Sequence, residues 1–355
     1  MYFALFLFTI VLLWVAVANF LTIRRPKSVS LTDRSVTVLI PVRNEAENIV
    51  ELIDSLTKQS HLSSLEIIFI DDSSTDSTNK LLKTAVSEGA PIKIVSAPVL
   101  PNGWLGKPWA LQQGYLIARG EIIVTLDADV RLVPTAISQG IAMMGERDFI
   151  SPYPRQIAIS FAERLVQPLL QWSWMTTVPL RLAERSNRTS LAVANGQFFL
   201  VKKSSLDVIS GFQAIATEVL DDMKLARALI AVGAHGGVAD GSTLAQTRMY
   251  KNFAEIKSGY GKSLWSAFSS PLGAFAAIFF IFATGIAPLL AWFSGNPIGL
   301  FTYQIIVITR MISAKRSGGR VIDSFLHPIS SAILIYLIIY SWRARGKVQW
   351  KGRTL

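Results

Sequence analysis

The chain has 355 residues, 51% of them hydrophobic, a formal net charge of +11 and no cysteine. The missing thiols exclude disulfides and thiolate metal sites, and three histidines are too few for a histidine-rich one. The positive charge does not mark a nucleic-acid surface. Arg24, Arg25 and Lys27 follow a first apolar run, Lys315, Arg316 and Arg320 flank a later one, and Arg343, Arg345, Lys347, Lys351 and Arg353 form a basic tail. Such placement suits membrane flanks and anionic headgroups.

Three stretches carry no charge: residues 2–23, 263–309 and 324–342. A helix needs roughly 20 apolar residues to cross a bilayer core. The first run fits one span, and the third fits one more. The second is long enough for two, with Ser294-Gly295-Asn296-Pro297 as the turn between them. The N-terminal run reads as an uncleaved anchor, because its apolar core is too long for a signal peptide and no basic segment precedes it. The basic residues after it place the middle of the chain in the cytoplasm, at the inner face of the cell membrane. Three C-terminal spans would then leave the basic tail on the opposite side, unless one segment is re-entrant or interfacial. The expected organisation is an N-terminal transmembrane anchor (1–24), a catalytic domain (36–247), an amphipathic interfacial segment (248–268), C-terminal transmembrane segments (271–342) and a basic tail (343–355).

Between the apolar runs, strands and helices alternate. VTVLIP (36–41) reads as a buried strand, and Asn44 with Glu47 as a capping box for a helix over 45–59. LEIIFID (65–71) is a second strand, with a helix from Asp76 to about Glu88. IKIVSA (92–97) is a third, and a helix follows over 107–119. EIIVTLD (121–127) is a fourth. This alternation predicts an α/β fold with a doubly wound, mostly parallel sheet. Further on, the pattern predicts one long helix over 160–184, a strand over 191–203, a helix over 217–232 and an interfacial helix over 248–268.

In a doubly wound sheet ligands bind beyond the carboxyl ends of the strands. Asp71, Asp72, Asp127 and Asp129 all fall at such ends. Asp127 and Asp129 are one residue apart, so a cation must sit between them or one must carry a proton. Two carboxylates without thiols suit Mg²⁺ or Mn²⁺ rather than Zn²⁺; a solvated turn is the plainer alternative. Gly103-Trp-Leu-Gly-Lys107 places glycines and a Lys at a helix start, which suits a diphosphate, although a surface Lys would look the same. Asp221 and Asp222 open another helix, where acids are stabilised by the helix dipole or can act as a general base.

Taken in order, VTVLIPVRNEAENI, IIFIDDSSTDST, GKPWAL, IIVTLDADV, NGQ and DDMKLA resemble the family 2 glycosyltransferases of the GT-A fold. The terminal apolar segments and the WKGR tail (350–353) resemble the membrane-bound branch that glycosylates carotenoids, hopanoids and related lipids. The resemblance implies an inverting transfer from a nucleotide sugar, a UDP-hexose, to a lipid or terpenoid acceptor. It implies that Pro41, Glu45 and Asp72 line the nucleoside pocket, that Lys107 meets the diphosphate, and that Asp127 and Asp129 hold the metal and nucleotide. Asp222 takes the place of the acceptor-activating base, with Asp221 where the family usually has Glu. Asn195, Gly196 and Gln197 edge the acceptor side. Processive members carry a Gln-x-x-Arg-Trp signature; Gln246-Thr-Arg-Met-Tyr250 fails at its last two positions, which favours a single transfer over polysaccharide synthesis.

Trp172 and Trp174 read either as part of an acceptor entry at the membrane interface or as core packing. A transporter or sensor with a cytoplasmic nucleotide-binding domain is the rival of another class. Acids within the spans would favour it, and the charge-free runs contain none.

Overall fold

The computed structural model describes residues 2–27, 29, 31–268 and 270–345, and the backbone alone of 349–350 and 353–354. The tail beyond Arg345, with Lys347 and Lys351, otherwise lies outside the described residues. In chain order the helices are α1 (Tyr2–Thr22), α2 (Ala46–Thr57), α3 (Thr78–Ser87), α4 (Gly106–Ile117), α5 (Ala136–Met144), α6 (Phe161–Val166), α7 (Pro168–Thr177), α8 (Leu180–Ala183), α9 (Lys203–Val208), α10 (Asp221–Ala231), α11 (Phe253–Ala267), α12 (Pro271–Gly285), α13 (Ala287–Phe293), α14 (Pro297–Ser317) and α15 (His327–Arg343). The strands that matter here are β1 (Thr32–Val42), β2 (Leu62–Asp71), β3 (Lys93–Ser96), β4 (Ile122–Leu126), β5 (Val130–Leu132), β6 (Phe149–Tyr153), β7 (Arg155–Gln156), β8 (Phe198–Lys202), β9 (Gly236–Asp240) and β10 (Ala245–Thr247).

The chain divides into two compact units. An α/β unit comprises Ile23–Arg155 and Leu182–Thr247, and a helical unit comprises Met1–Thr22, Gln156–Arg181 and Arg248–Leu355. The segment Gln156–Arg181 thus clusters with the terminal helices rather than continuing the α/β domain.

The α/β unit is built on a seven-stranded sheet in the order β3-β2-β1-β4-β8-β6-β9. β3, β2, β1 and β4 are parallel, β8 runs antiparallel to β4 and β6, and β6 is parallel to β9. Strand alternation sorts the core into two layers. Val36, Val38, Ile40 and Val42 face α2, α3 and α5, while Leu39 joins Ile68, Ile70 and the helices α4 and α10 on the other face. Pro41 is tolerated in this central strand because the β1–β4 ladder stops at Leu39, so no bond is lost for want of its N–H. The strand predicted over 191–203 shrinks to β8, because the chain turns at Gly196-Gln197, where Asn195 Oδ1 accepts from Gln197 N, just before pairing begins.

Gly120 leads into β4, where the chain passes against β1. Its N–H donates to Thr37 Oγ1 at 2.8 Å, and a Cβ there would lie 2.4 Å from the Thr37 backbone nitrogen. Backbone cannot rotate aside as a side chain can. Gly120→Ala is therefore expected to cost about 2–3 kcal/mol, read as a fall in the thermal midpoint of the purified protein.

In the helical unit, the single helix predicted over 160–184 is broken into α6, α7 and α8. Pro168 removes a ladder bond at the first break. Pro179 forces Val178 into an extended conformation at the second. Asn19 of α1 seals that second break: its Nδ2 donates to the carbonyls of Met175 (2.9 Å) and Val178 (2.7 Å), and its Oδ1 accepts from Leu180 N (3.0 Å). The capping box belongs to Ser160 and Glu163 of α6, not to Asn44 and Glu47.

Among the described residues, four helices are long and apolar enough to cross a membrane: Tyr2–Thr22, Pro271–Phe293, Pro297–Ser317 and Val321–Arg343. Their charge content corrects the reading of the uncharged runs, since α14 extends past Thr309 to include Arg310 and the last segment includes Asp323. The directions of these helices also matter. The turn at 294–297 makes α13 and α14 antiparallel, with Gly299 packed on the Pro288 carbonyl. Gly285 of α12 lies against His327 and Ser331 at the start of α15, and Ala274 clusters with Ile338 further along it. α12 and α15 are thus antiparallel, and α14 and α15 run the same way. The intervening 3₁₀ turn, Val321–Leu326, doubles back along α14: the Tyr303 hydroxyl donates to the Phe325 carbonyl at 2.8 Å.

Candidate active site

Two loops at the carboxyl edge of the sheet are stitched together, which corrects the role expected for Asn44. Asn44 adopts a left-handed conformation (φ 53°). Its Oδ1 accepts from Thr75 N at 2.8 Å, and its own N–H donates to Ser74 Oγ at 3.1 Å. Glu45 N donates to Thr78 Oγ1 at 2.8 Å and Ala46 N to Asp76 Oδ2 at 3.1 Å. The first N–H groups of α2 are thus satisfied across the loop gap rather than by a local box. Asp71 is absorbed by structure, since its oxygens accept from Ser74 N (3.0 Å) and Asn79 Nδ2 (2.9 Å). Asp72 is buried at the end of β2, with the Arg43 guanidinium donating to its carbonyl. Asp72 lies on the same carboxyl edge as Asp127, with β1 between their strands.

The centre forms where the ends of β4 and β6 and the start of β8 meet the starts of α4 and α10. Asp127 N donates to the Gln197 carbonyl at 3.1 Å, joining the end of β4 to the start of β8. Lys107, in the first turn of α4, places its Nζ 2.8 Å from Asp127 Oδ1 and 3.0 Å from Asp221 Oδ2. Asp222 Oδ2 accepts from Gly196 N at 2.8 Å. A Cβ on Gly196 would stand 3.1 Å from Asp222 Cβ and 3.3 Å from Lys107 Nζ, so only glycine leaves the two groups where they are. Asn195 is fixed by Ser151, which accepts from its N–H (2.8 Å) and donates to its carbonyl (3.0 Å), and its side chain accepts from Gln197 N (3.0 Å). Asp129 accepts from Thr247 Oγ1 of β10 at 2.9 Å.

The structure therefore gathers Lys107, Asp127, Asp221, Asp222, Asn195, Gly196 and Gln197, with Asp129 and Glu45 close enough for their charges to act on Asp127 or on each other. Trp172 and Trp174 belong to the helical unit and are buried there; Trp172 packs with Leu12, Leu169 and Ile306. Three contributors escaped the sequence reading. Thr247 and Ser151 hold functional candidates in place, and Tyr153, buried at the end of β6, lies within electrostatic reach of Asp222. None stands in a motif; only their positions at strand ends link them to the site.

Charge is unbalanced here. Burial opposes the Lys107 ammonium, but the carboxylates of Asp127 and Asp221, then Asp222, outweigh it and hold its pKa above the ordinary lysine value. Burial and then the charge of Asp127 push Asp129 up to about 6, against the hydrogen bond from Thr247. Burial and then Asp221 push Asp222 up to about 6, against Lys107 and the N–H groups of Met223 and Gly196. Burial and then Asp222 also raise the Tyr153 phenol. One ammonium does not neutralise this set of acids, which leaves room for a divalent cation. Among the described residues no three acids or imidazoles converge on one point. Asp127 and Asp129 would thus give at most two protein ligands, the number Mg²⁺ commonly takes.

Comparison with known proteins follows the same lines. Residues 37–210 match the model of glycosyl transferase family 2. Over 342 residues the chain is 26% identical to the 4,4'-diaponeurosporenoate glycosyltransferase of Staphylococcus haemolyticus (strain JCSC1435), spanning 91% of this chain and 88% of that one. Identity to the protein of the same name from Staphylococcus aureus (strain USA300) is 24% over 349 residues, spanning 93% and 90%. The fold matches that of the mannosyltransferase PcManGT from Pyrobaculum calidifontis, solved in complex with GDP-Man and Mn²⁺, with a TM-score of 0.57 at 17% identity over 99% of this chain and 96% of that one. With an α/β unit of GT-A type, residues 37–210 are a glycosyl transferase family 2 domain, and the chain is a glycosyltransferase.

Proposed function

We propose that the chain is a membrane-bound, inverting and metal-dependent enzyme that transfers a single sugar from a nucleotide sugar, a UDP-hexose, to the hydroxyl or carboxyl group of a membrane lipid or terpenoid. The observation that carries this reading is the Lys107 ammonium set between Asp127 and Asp221, with Asp222 held beside it by Gly196. As the glycosidic bond breaks, the departing diphosphate gains charge. Lys107 meets that charge, an interaction stronger in the transition state than in the ground state. Asp222 takes the proton of an incoming hydroxyl. Asp127 and Asp129 hold Mg²⁺ or Mn²⁺, which when bound neutralises diphosphate charge. Pro41, Glu45 and Asp72 line the nucleoside pocket, and Asn195, Gly196 and Gln197 the acceptor side. The relatives' name is that of a carboxylate, which supports the carboxyl arm.

The four apolar helices support anchorage in the membrane. Arg316 of α14 donates to the Phe20 carbonyl of α1, so those two C-terminal ends lie together. Because α15 runs parallel to α14, its C-terminal end with Arg343 and Arg345 lies on that same side. The positive-inside rule then places that side in the cytoplasm, and the three-span conflict disappears once Val321–Leu326 is re-entrant. On this reading the segment 248–268 lies in the interface.

The test is turnover by the purified full chain in detergent, with UDP- and GDP-hexoses and with long-chain or terpenoid alcohols and acids, products being read by mass spectrometry. One added sugar is expected, lost with EDTA and restored by Mn²⁺ or Mg²⁺, and Asp129→Ala should lower turnover by about 10³-fold. Product formed equally well in EDTA and by Asp129→Ala would overturn metal dependence. A polymeric product would overturn single transfer.

A further inference from the structure

The helical unit holds a buried cation whose nearby carboxylate is bonded to another guanidinium. Arg310 on α14 is 3% exposed, and its Nη1 has no hydrogen-bond partner among the described residues. The nearby carboxylate is already taken: Asp323, on the turn that doubles back along α14, accepts from Arg164 Nε at 2.9 Å and from Arg164 Nη2. Arg320 approaches the same group at 4.0 Å. Asp323 thus has one guanidinium bonded to it, a second at 4.0 Å and the Arg310 charge within electrostatic reach.

Two further polar groups share this orphaned state. His327, fully buried at the start of α15, has no partner at Nδ1, and the buried Ser330 hydroxyl has none. His327 is placed firmly. Its ring meets Trp172 edge-on at 4.7 Å, and Trp172 Nε1 donates to the hydroxyl of Thr309, the neighbour of Arg310, at 2.8 Å.

A guanidinium does not shed its proton, and leaving one buried without a counter-ion is costly. Its planar fork matches two oxygens of a carboxylate or phosphate. The surface of the helical unit carries exposed Phe275 and Phe279 on α12, Phe301 on α14, and Ile322 and Phe325 on the turn before α15. An anion reaching Arg310 through such surroundings needs an apolar tail. We propose that Arg310, with His327 and Ser330, is a receptor for the acid headgroup, carboxylate or phosphate, of a lipid bound in the helical unit. This rests on the helical unit alone and not on the transfer reaction.

The test uses the delipidated full chain in mild detergent, titrated with oleate, dodecyl phosphate and uncharged oleyl alcohol, with binding read by native mass spectrometry and thermal shift. At least one acid should bind about tenfold or more tightly than the alcohol and raise the thermal midpoint. Preference for oleate alone assigns a carboxylate, for dodecyl phosphate alone a phosphate, and for both the shared chemistry; each supports the proposal. Arg310→Gln should erase the preference while alcohol binding persists. Without lipid it should be no less stable than the parent, because it removes a buried charge that has no hydrogen-bonded counter-ion. Ser330→Ala should weaken acid binding severalfold and serves if Arg310→Gln does not fold. Acids binding no better than the alcohol would overturn the proposal, as would a preference that survives Arg310→Gln or, failing that variant, one unchanged in Ser330→Ala.

Discussion

Asp222→Asn is expected to lower kcat toward a hydroxyl acceptor by about 10²–10⁴-fold while changing the donor's Kd by less than about twofold. The amide keeps the shape of the side chain and still accepts the Gly196 N–H, but it has no basic oxygen to receive a proton. Wild-type pH dependence should carry the same mark. The ionised form is the working base, and burial with the Asp221 charge lifts its pKa to about 6. The sign follows directly: below about pH 6 Asp222 is protonated and kcat/KM falls, with a slope of about one at saturating divalent metal, and that limb should vanish in Asp222→Asn. The substitution also sorts acceptor chemistry. A carboxylic acid arrives already ionised at neutral pH and needs no base, so its transfer should fall far less. Near-normal transfer to a hydroxyl acceptor by Asp222→Asn would remove Asp222 from the base's role.

Much of this site was legible because its parts are local. Short apolar runs ending in acids mark buried strands with functional carboxyl ends, and the parallel half of the sheet follows from their alternation with helices. The misses share a physical cause, which is that the deciding contact is distant in sequence. Asn44 followed by an acid looks like a cap, but its partner is Thr75 on the neighbouring loop. Thr247 and Tyr153 sit on short strands whose importance depends on strand order, which pattern alone does not give. The antiparallel β8 was hidden inside a longer apolar run until the Asn195–Ser151 bonds fixed where it begins. Pro168 and Pro179 are plain helix-breaking signals inside an apolar run, and they, rather than the apolar spacing, decide where that helix divides. Arg310 and Asp323 escaped because they stand just beyond the edges of the charge-free runs, while the helical segments extend past those edges.

Lys107→Met should damage both stability and turnover, and the two losses can be separated. The ammonium is the shared partner of Asp127 and Asp221, and its side chain retains 23% exposure. Removing one partner from a buried pair costs about 3–5 kcal/mol, and partial exposure brings the expectation to about 2–4 kcal/mol. For a chain of this size that is a fall in thermal midpoint of roughly 5 °C or more. Turnover should fall by about 10²–10³-fold, because no fixed positive charge then meets the departing diphosphate. Adding Asp221→Asn to Lys107→Met removes one of the carboxylates left unpaired. The double variant should therefore recover much of the thermal midpoint and none of the turnover. Lys107→Arg should not rescue activity either: the larger planar guanidinium cannot take the place of the ammonium between Asp127 and Asp221 without moving them. If the double variant regained turnover along with stability, Lys107 would be a structural counter-ion and nothing more. If Lys107→Met kept both, the charge balance assigned to this site would be wrong.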